Sequence, residues 1–145
     1  MRILTTLIGL FLATFLYGQT GADKVLGNWF TDDKETKIEV YKEGSKYFGK
    51  IVWLMEPNED DGTPKIDDEN PDPSLQNRPV MGLILLKDFS YDPDKEEWNG
   101  GTIYDPKNGK TYDCYMWMDG SDLQIKGFVL GMRFIGRKTT WTTAD

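Results

Sequence analysis

The sequence predicts an all-β fold, an eight-stranded antiparallel up-and-down barrel, on three observations. From Trp98 to Trp141 short amphipathic segments follow one another with no helical period. The turns between them carry Gly, Asp and Asn, the residues that supply the positive φ angles of tight hairpins. Eight such segments, closely connected, suit a barrel whose interior is filled or sized for one ligand.

Taken in order, the strands are expected at about 26–31, 36–42, 46–55, 82–91, 96–104, 110–118, 122–130 and 133–142. Glu43-Gly44-Ser45, Asp105-Pro106-Lys107-Asn108-Gly109 and Asp119-Gly120-Ser121 are the clearest turns, Pro106 suiting a turn and not a central strand. Period-two alternation assigns several faces. In the third strand Lys50 outside places Tyr47, Gly49, Ile51 and Trp53 inside. In the sixth, Thr111 and Asp113 outside place Tyr112, Cys114, Met116 and Met118 inside, leaving Tyr115 and Trp117 on the outer face. In the seventh, Gln124 and Lys126 face water and Leu123, Ile125, Gly127 and Val129 turn inward. The fourth strand is apolar on both faces around Leu83-Ile84-Leu85-Leu86, so its facing stays open and cover from another segment is expected. A membrane-embedded barrel would carry an apolar outer band. Here the outer positions include Lys50, Asp113, Gln124, Lys126 and Lys138, which favours an apolar inside and a polar outside.

Residues 1–19 read as a secretory signal peptide: Arg2, an apolar run from Ile3 to Leu16, then small or polar residues. The run is short of the roughly 20 apolar residues of a spanning helix. Residues 20–145 are then a single barrel domain, secreted or periplasmic, not integral to a membrane and expected to be monomeric. No Cys near the cleavage zone offers a lipid anchor. Cys114 is the only cysteine, so no internal disulfide can form, and a buried, inert thiol is expected.

Histidine is absent, which excludes Ser-His-Asp and Cys-His nucleophilic sites and His-based zinc sites. Without Arg2 the chain carries 16 basic and 24 acidic residues, and most of the imbalance lies in residues 56–72, where eight acids stand against Lys65. That acidity disfavours nucleic acid. No calcium-loop register fits the segment, since aligning Gly62 puts Pro57 at the first ligand position, so no metal or cofactor is expected and the segment reads as a solvated, mobile loop.

Gly27-Asn28-Trp29 in the first strand, with Arg133 and Arg137 in the last, resembles the lipocalin and wider calycin pattern, in which a Trp plugs one end of the barrel and an Arg stacks across it. The resemblance implies a barrel-closing role for Trp29 and Arg137. Four further segments carry a more specific one: Tyr47-Phe48-Gly49-Lys50-Ile51-Val52, the Asp68–Leu83 stretch, Trp98–Tyr112, and Gly127-Phe128 through Gly136-Arg137-Lys138-Thr139-Thr140-Trp141. Together they are similar to the DUF2147 family of secreted bacterial proteins. This implies a lipocalin-like barrel in the envelope or outside the cell and brings no catalytic residues with it. Gln76 departs from the basic residue expected beside Asn77-Arg78.

The functional expectation is non-catalytic binding of a small apolar or amphipathic ligand by Tyr47, Ile51, Trp53, Trp98, Tyr112, Met116, Leu123 and Ile125 inside the barrel. Residues 66–81 are expected to fold over the open end as a lid, with Leu75 and Met81 packing on it and Asn70, Asn77 and Arg78 tying it down. The alternative is an interaction module using Tyr115, Trp117 and the acidic loop around a filled barrel. A carboxylate-based enzyme ranks third, because the assigned interior faces hold no acidic pair.

Overall fold

In the computed structural model, which describes residues 21–144, eight strands close into one antiparallel barrel in sequence order. They are β1 (Gly27–Phe30), β2 (Thr36–Glu43), β3 (Lys46–Leu54), β4 (Ile84–Asp92), β5 (Glu97–Asp105), β6 (Lys110–Asp119), β7 (Asp122–Val129) and β8 (Met132–Thr143). All pairings are between neighbours, and β8 returns to β1 through Trp29–Thr143 and Phe30–Thr142. The Ala144 amide adds a bond to the Asn28 carbonyl at 2.9 Å. Among the described residues no helix is long and apolar enough to cross a membrane. The expected signal segment, 1–19, lies outside the described residues.

The two ends of the barrel differ. At one end a short 3₁₀ segment, Gly21–Val25, lies under the strands. Indole and phenol groups hold it there: Trp98 Nε1 donates to the Ala22 carbonyl at 3.0 Å, Trp29 Nε1 to the Val25 carbonyl at 2.9 Å, and the Tyr47 hydroxyl to Asp23 Oδ1 at 3.1 Å. Burial, followed by the hydrogen bond to Asp23, pushes the Tyr47 pKa up to about 12, so the phenol stays protonated as a donor. Above this base Tyr47, Phe89, Trp98, Met116 and Leu123 are buried and fill the interior. The residues between the expected signal segment and the first strand are therefore the barrel's floor.

Register shifts explain where simple alternation fails. One extra residue enters β3 where Lys37 pairs Trp53 while Ile38 pairs Ile51. The bulge turns Trp53 outward, correcting its interior assignment: Trp53 packs edge-on against Phe30 at 6.1 Å, with Lys37 over its ring. Gln124 also departs from expectation. It lies on the outer face but is buried between its cross-strand neighbours Trp117 and Thr140, accepting a bond from the Thr140 hydroxyl at 2.7 Å. The widest shift is at the β7–β8 hairpin, where Phe128 pairs Gly136 but Val129 pairs Met132, so β8 bows out over three extra residues. The two-residue turn there is Leu130-Gly131, with φ of 57° and 67°. That is the hairpin geometry Asn-Gly prefers, and a leucine in it costs about 1–2 kcal/mol.

Glycines allow the strands to approach where the core is tightest. A Cβ on Gly101 would lie 2.5 Å from both the Lys87 carbonyl oxygen and the Phe89 ring. Gly101→Ala should therefore destabilise the barrel by about 1–3 kcal/mol, as overpacking does, in urea unfolding followed by tryptophan fluorescence. An unchanged midpoint would show that the β4–β5 contact can relax.

Candidate functional site

The end opposite the 3₁₀ floor is open and leads into a cavity of about 730 Å³, within the range of small-ligand sites. Its walls are apolar, with Ile38, Ile51, Leu85, Ile103, Ile125 and Trp141 below the mouth, and Tyr112 adds an aromatic face. Glycine at 127 opens the space: a Cβ there would meet Tyr112 Cβ at 3.5 Å and Ile103 Cγ2 at 3.6 Å, with nothing closer. Thr139 places its hydroxyl in this wall, and Thr139 Oγ1 is the one buried side-chain polar atom among the described residues without a hydrogen-bond partner. A buried hydroxyl in that state favours a ligand that brings a polar group to it.

The rim is charged and comes from turns. Asp32 and Asp33 stand in the β1–β2 turn, Asp105 at the end of β5, Lys107 in the β5–β6 turn, and Arg137 on β8. Burial acts to raise the Asp33 pKa. The Glu35 amide, the Thr31 hydroxyl and the charge of Lys107 outweigh it and hold Asp33 below its ordinary value, so it is ionised near neutrality and unsuited to donating a proton. Strand alternation could not reveal these acids because they lie in a turn or at a strand end. Among the described residues no cluster of three potential ligands for a metal occurs.

The expected interior residues divide between two regions. Ile51, Tyr112 and Ile125 line the cavity. Tyr47, Trp98, Met116 and Leu123 are buried but belong to the filled half above the floor, and Trp53 is on the outside. Arg137 does not stack on Trp29. It is exposed at the mouth with no ionic partner among the described residues, while the Trp29 ring is fixed by Val25. The closing role expected of this pair falls to the β1–β8 backbone pairing and the 3₁₀ floor.

The insertion between β3 and β4 is a brace on the wall, which corrects its expected role as a lid. None of Asn70, Leu75, Asn77, Arg78 or Met81 lines the cavity, and Leu75, Asn77 and Met81 are exposed. The physical reason is Asp67, which sequence reading had placed in a solvated loop and which is fully buried. Its carboxylate accepts from the Tyr104 hydroxyl at 2.5 Å, Arg78 Nε at 2.8 Å and Asn70 Nδ2 at 2.8 Å. Tyr104 pairs with the outward Thr111, so this cluster straps the insertion to the outer face of β5. Burial and then the bond to Asp67 push the Tyr104 pKa up to about 12, keeping its proton in place. The strap continues where the Glu69 carbonyl lies against Gly109 and where Gly82 and Leu83 exchange backbone bonds with Ile51 at 2.9 Å. Gln76 has a place here, its amide donating to the Asn70 carbonyl at 2.8 Å.

Tyr115 and Trp117 stack on the outer face at 5.3 Å and are half-buried. Their cover is the last hairpin: Arg133 lies 4.0 Å above the Tyr115 ring and forks onto Glu97 through bonds of 2.7 and 3.2 Å. Cys114 is buried, and burial pushes its thiol pKa up, so it is an inert apolar filler.

Against this geometry, the family described as an uncharacterized protein conserved in bacteria (DUF2147) matches residues 27–143. The chain belongs to the DUF2147 family. A solved structure, described as protein HP1028 from the human pathogen Helicobacter pylori and as belonging to the lipocalin family, is similar over 83% of both chains with a TM-score of 0.70 and 24% identity. That likeness concerns the fold, a lipocalin-like barrel. No curated protein matches the chain. The DUF2147 match spans the whole barrel and stops short of the 3₁₀ floor.

Asp67→Ala leaves a phenol, an amide and a guanidinium without their acceptor, so it should lower stability by about 3 kcal/mol and speed proteolytic cleavage within residues 56–82. Wild-type resistance to cleavage would show that the insertion is held by other contacts. At Glu97, burial acts to raise the pKa, and the Arg133 and Asn99 bonds overcome it to set the value below 4.5. A depressed folded-state pKa gives stability that is present above the ordinary value and fades as pH falls through the folded one. Glu97→Gln should therefore lower the melting temperature at pH 7 and lose less stability than wild type on acidification below about pH 4. Parallel curves for the two proteins would sink this assignment.

Proposed function

We propose that this DUF2147 barrel binds a small amphipathic molecule without catalysing a reaction on it. The carrying observation is the cavity of about 730 Å³, apolar at depth, open at one end only and rimmed with charge. A ligand of this kind would set an apolar body against Ile51, Ile103, Ile125 and Trp141 and bring a polar group to Thr139 and the rim. The two cations and three carboxylates at the mouth come from the β1–β2 turn, the β5–β6 connection and β8, and Asp33 is held ionised, which favours orientation of a ligand over acid–base chemistry. The Arg2-led apolar run supports action outside the cytoplasm, in the envelope or beyond the cell. The rival reading, an interaction module around a filled barrel, has less support, since Tyr115, Trp117 and Asp67 are engaged in packing.

The test fills the cavity. Gly127→Leu adds a side chain toward Tyr112 and Ile103 at a position with room for its Cβ. It should abolish binding of the fluorescent apolar probe N-phenyl-1-naphthylamine while leaving the melting temperature unchanged or higher. Native mass spectrometry of protein purified from its own host, with organic extraction, would identify what travels with it. Undiminished probe binding by the folded variant would refute the assignment.

A further inference from the structure

The β7–β8 hairpin beside the cavity mouth carries the most exposed apolar side chains among the described residues. Leu130 is 83% and Phe134 79% exposed, and Val129 and Ile135 are exposed beside them. The hairpin invests in this exposure: Leu130 occupies a positive-φ turn position where Asn would be at ease, and the three-residue bow of β8 carries Phe134 and Ile135 outward. Scattered apolar side chains on a surface need no explanation, but four on one tip do.

The charge of the hairpin itself has the opposite sign from that of the molecule. Residues 126–138 contain Lys126, Arg133, Arg137 and Lys138 and no acid, in a chain whose net charge is −7. Arg133 is taken up by Glu97, while Lys126, Arg137 and Lys138 have no ionic partner among the described residues. Lys126 and Lys138 are cross-strand neighbours, a repulsive pairing that an external anion would relieve.

We propose that this hairpin docks the barrel onto an anionic lipid surface, with Leu130 and Phe134 entering the acyl boundary and Lys126, Arg137 and Lys138 at headgroup level. An apolar tip with cations behind it on the same hairpin is the combination that interfacial binding requires. A protein partner fits less well, since four side chains on a hairpin tip fall short of the roughly 800 Å² per partner of a stable interface. Val129, Ile135 and Arg137 also line the cavity mouth, so docking brings that mouth to the lipid surface. The docking surface itself does not depend on the cavity being occupied.

The test is co-sedimentation of protein, processed as its host makes it, with vesicles of phosphatidylglycerol and phosphatidylcholine in equal parts and of phosphatidylcholine alone. Leu130→Asn removes the tip side chain and suits the turn, so the variant should fold at least as well as wild type. Phe134→Ser serves as a second variant, and a Lys126→Gln, Lys138→Gln pair removes the charge. All carry the same N-terminus as wild type, so differences report the hairpin alone. Expected is partition of wild type onto the anionic vesicles about tenfold above that onto phosphatidylcholine, with a loss of similar size in each variant and at about 0.5 M salt. Equal partition of wild type and variants would overturn the proposal. So would absence of vesicle binding together with self-association that Leu130→Asn abolishes, which would make the tip a contact between copies.

Discussion

Eight strands close around an interior that side chains can just fill, and the organisation of this molecule depends on that interior being filled at one end only. Large side chains, Tyr47, Phe89, Trp98, Met116 and Leu123, occupy the end above the 3₁₀ floor. Toward the other end the inward positions shift to branched aliphatics, Thr139 and Gly127, and space remains. The floor completes the asymmetry. Three ring donors bind a segment of only five residues, so the closed end is sealed by hydrogen bonds to backbone and Asp23 as well as by packing.

An interior with space in it gives up contacts that would otherwise stabilise the barrel, and the wall around the cavity is reinforced from outside. Asp67 draws Tyr104, Arg78 and Asn70 into one buried cluster against β5, and the end of the insertion pairs with Ile51, itself a cavity residue. A carboxylate is costly to bury unless its acceptor sites are met, and here three donors meet them. At the other end of β5, Glu97 and Arg133 fasten β8 across the Tyr115–Trp117 stack. Both fasteners lie outside the barrel, so neither takes up cavity volume.

The barrel and most strand limits were legible in the sequence because alternation and turn residues are local signals. Ile51, Tyr112 and Ile125 could be placed on the interior for the same reason. What alternation does not carry is depth along the barrel axis: it could not separate Trp98 and Met116, in the filled half, from Tyr112 and Ile125, in the open half. Nor does it survive a bulge, which is why Trp53 was misplaced. Asp67 was hidden by its acidic neighbours, since nothing local distinguishes the one carboxylate that meets Tyr104 from those that meet water. The Gly21–Val25 floor was hidden differently, by a composition that resembles a linker.

The irregular pairings are concentrated where shape matters. The shift in β3 sends Trp53 outward below the mouth. The glycine at 100, with φ of 75°, sits where β5 gains a residue against β6 beside the tight Gly101–Phe89 contact. The largest shift, in β8, separates Arg133 from Arg137: the first is carried out to Glu97, while the second is left at the mouth without a partner among the described residues. A regular hairpin would keep Phe134 and Ile135 on alternate faces, one of them directed toward the interior. By bowing outward, β8 leaves both exposed, Phe134 at the tip and Ile135 on the edge of the cavity mouth. The same three residues thus shape one edge of the mouth and contribute to the apolar tip beside it, which ties the two features to a single irregularity of one strand.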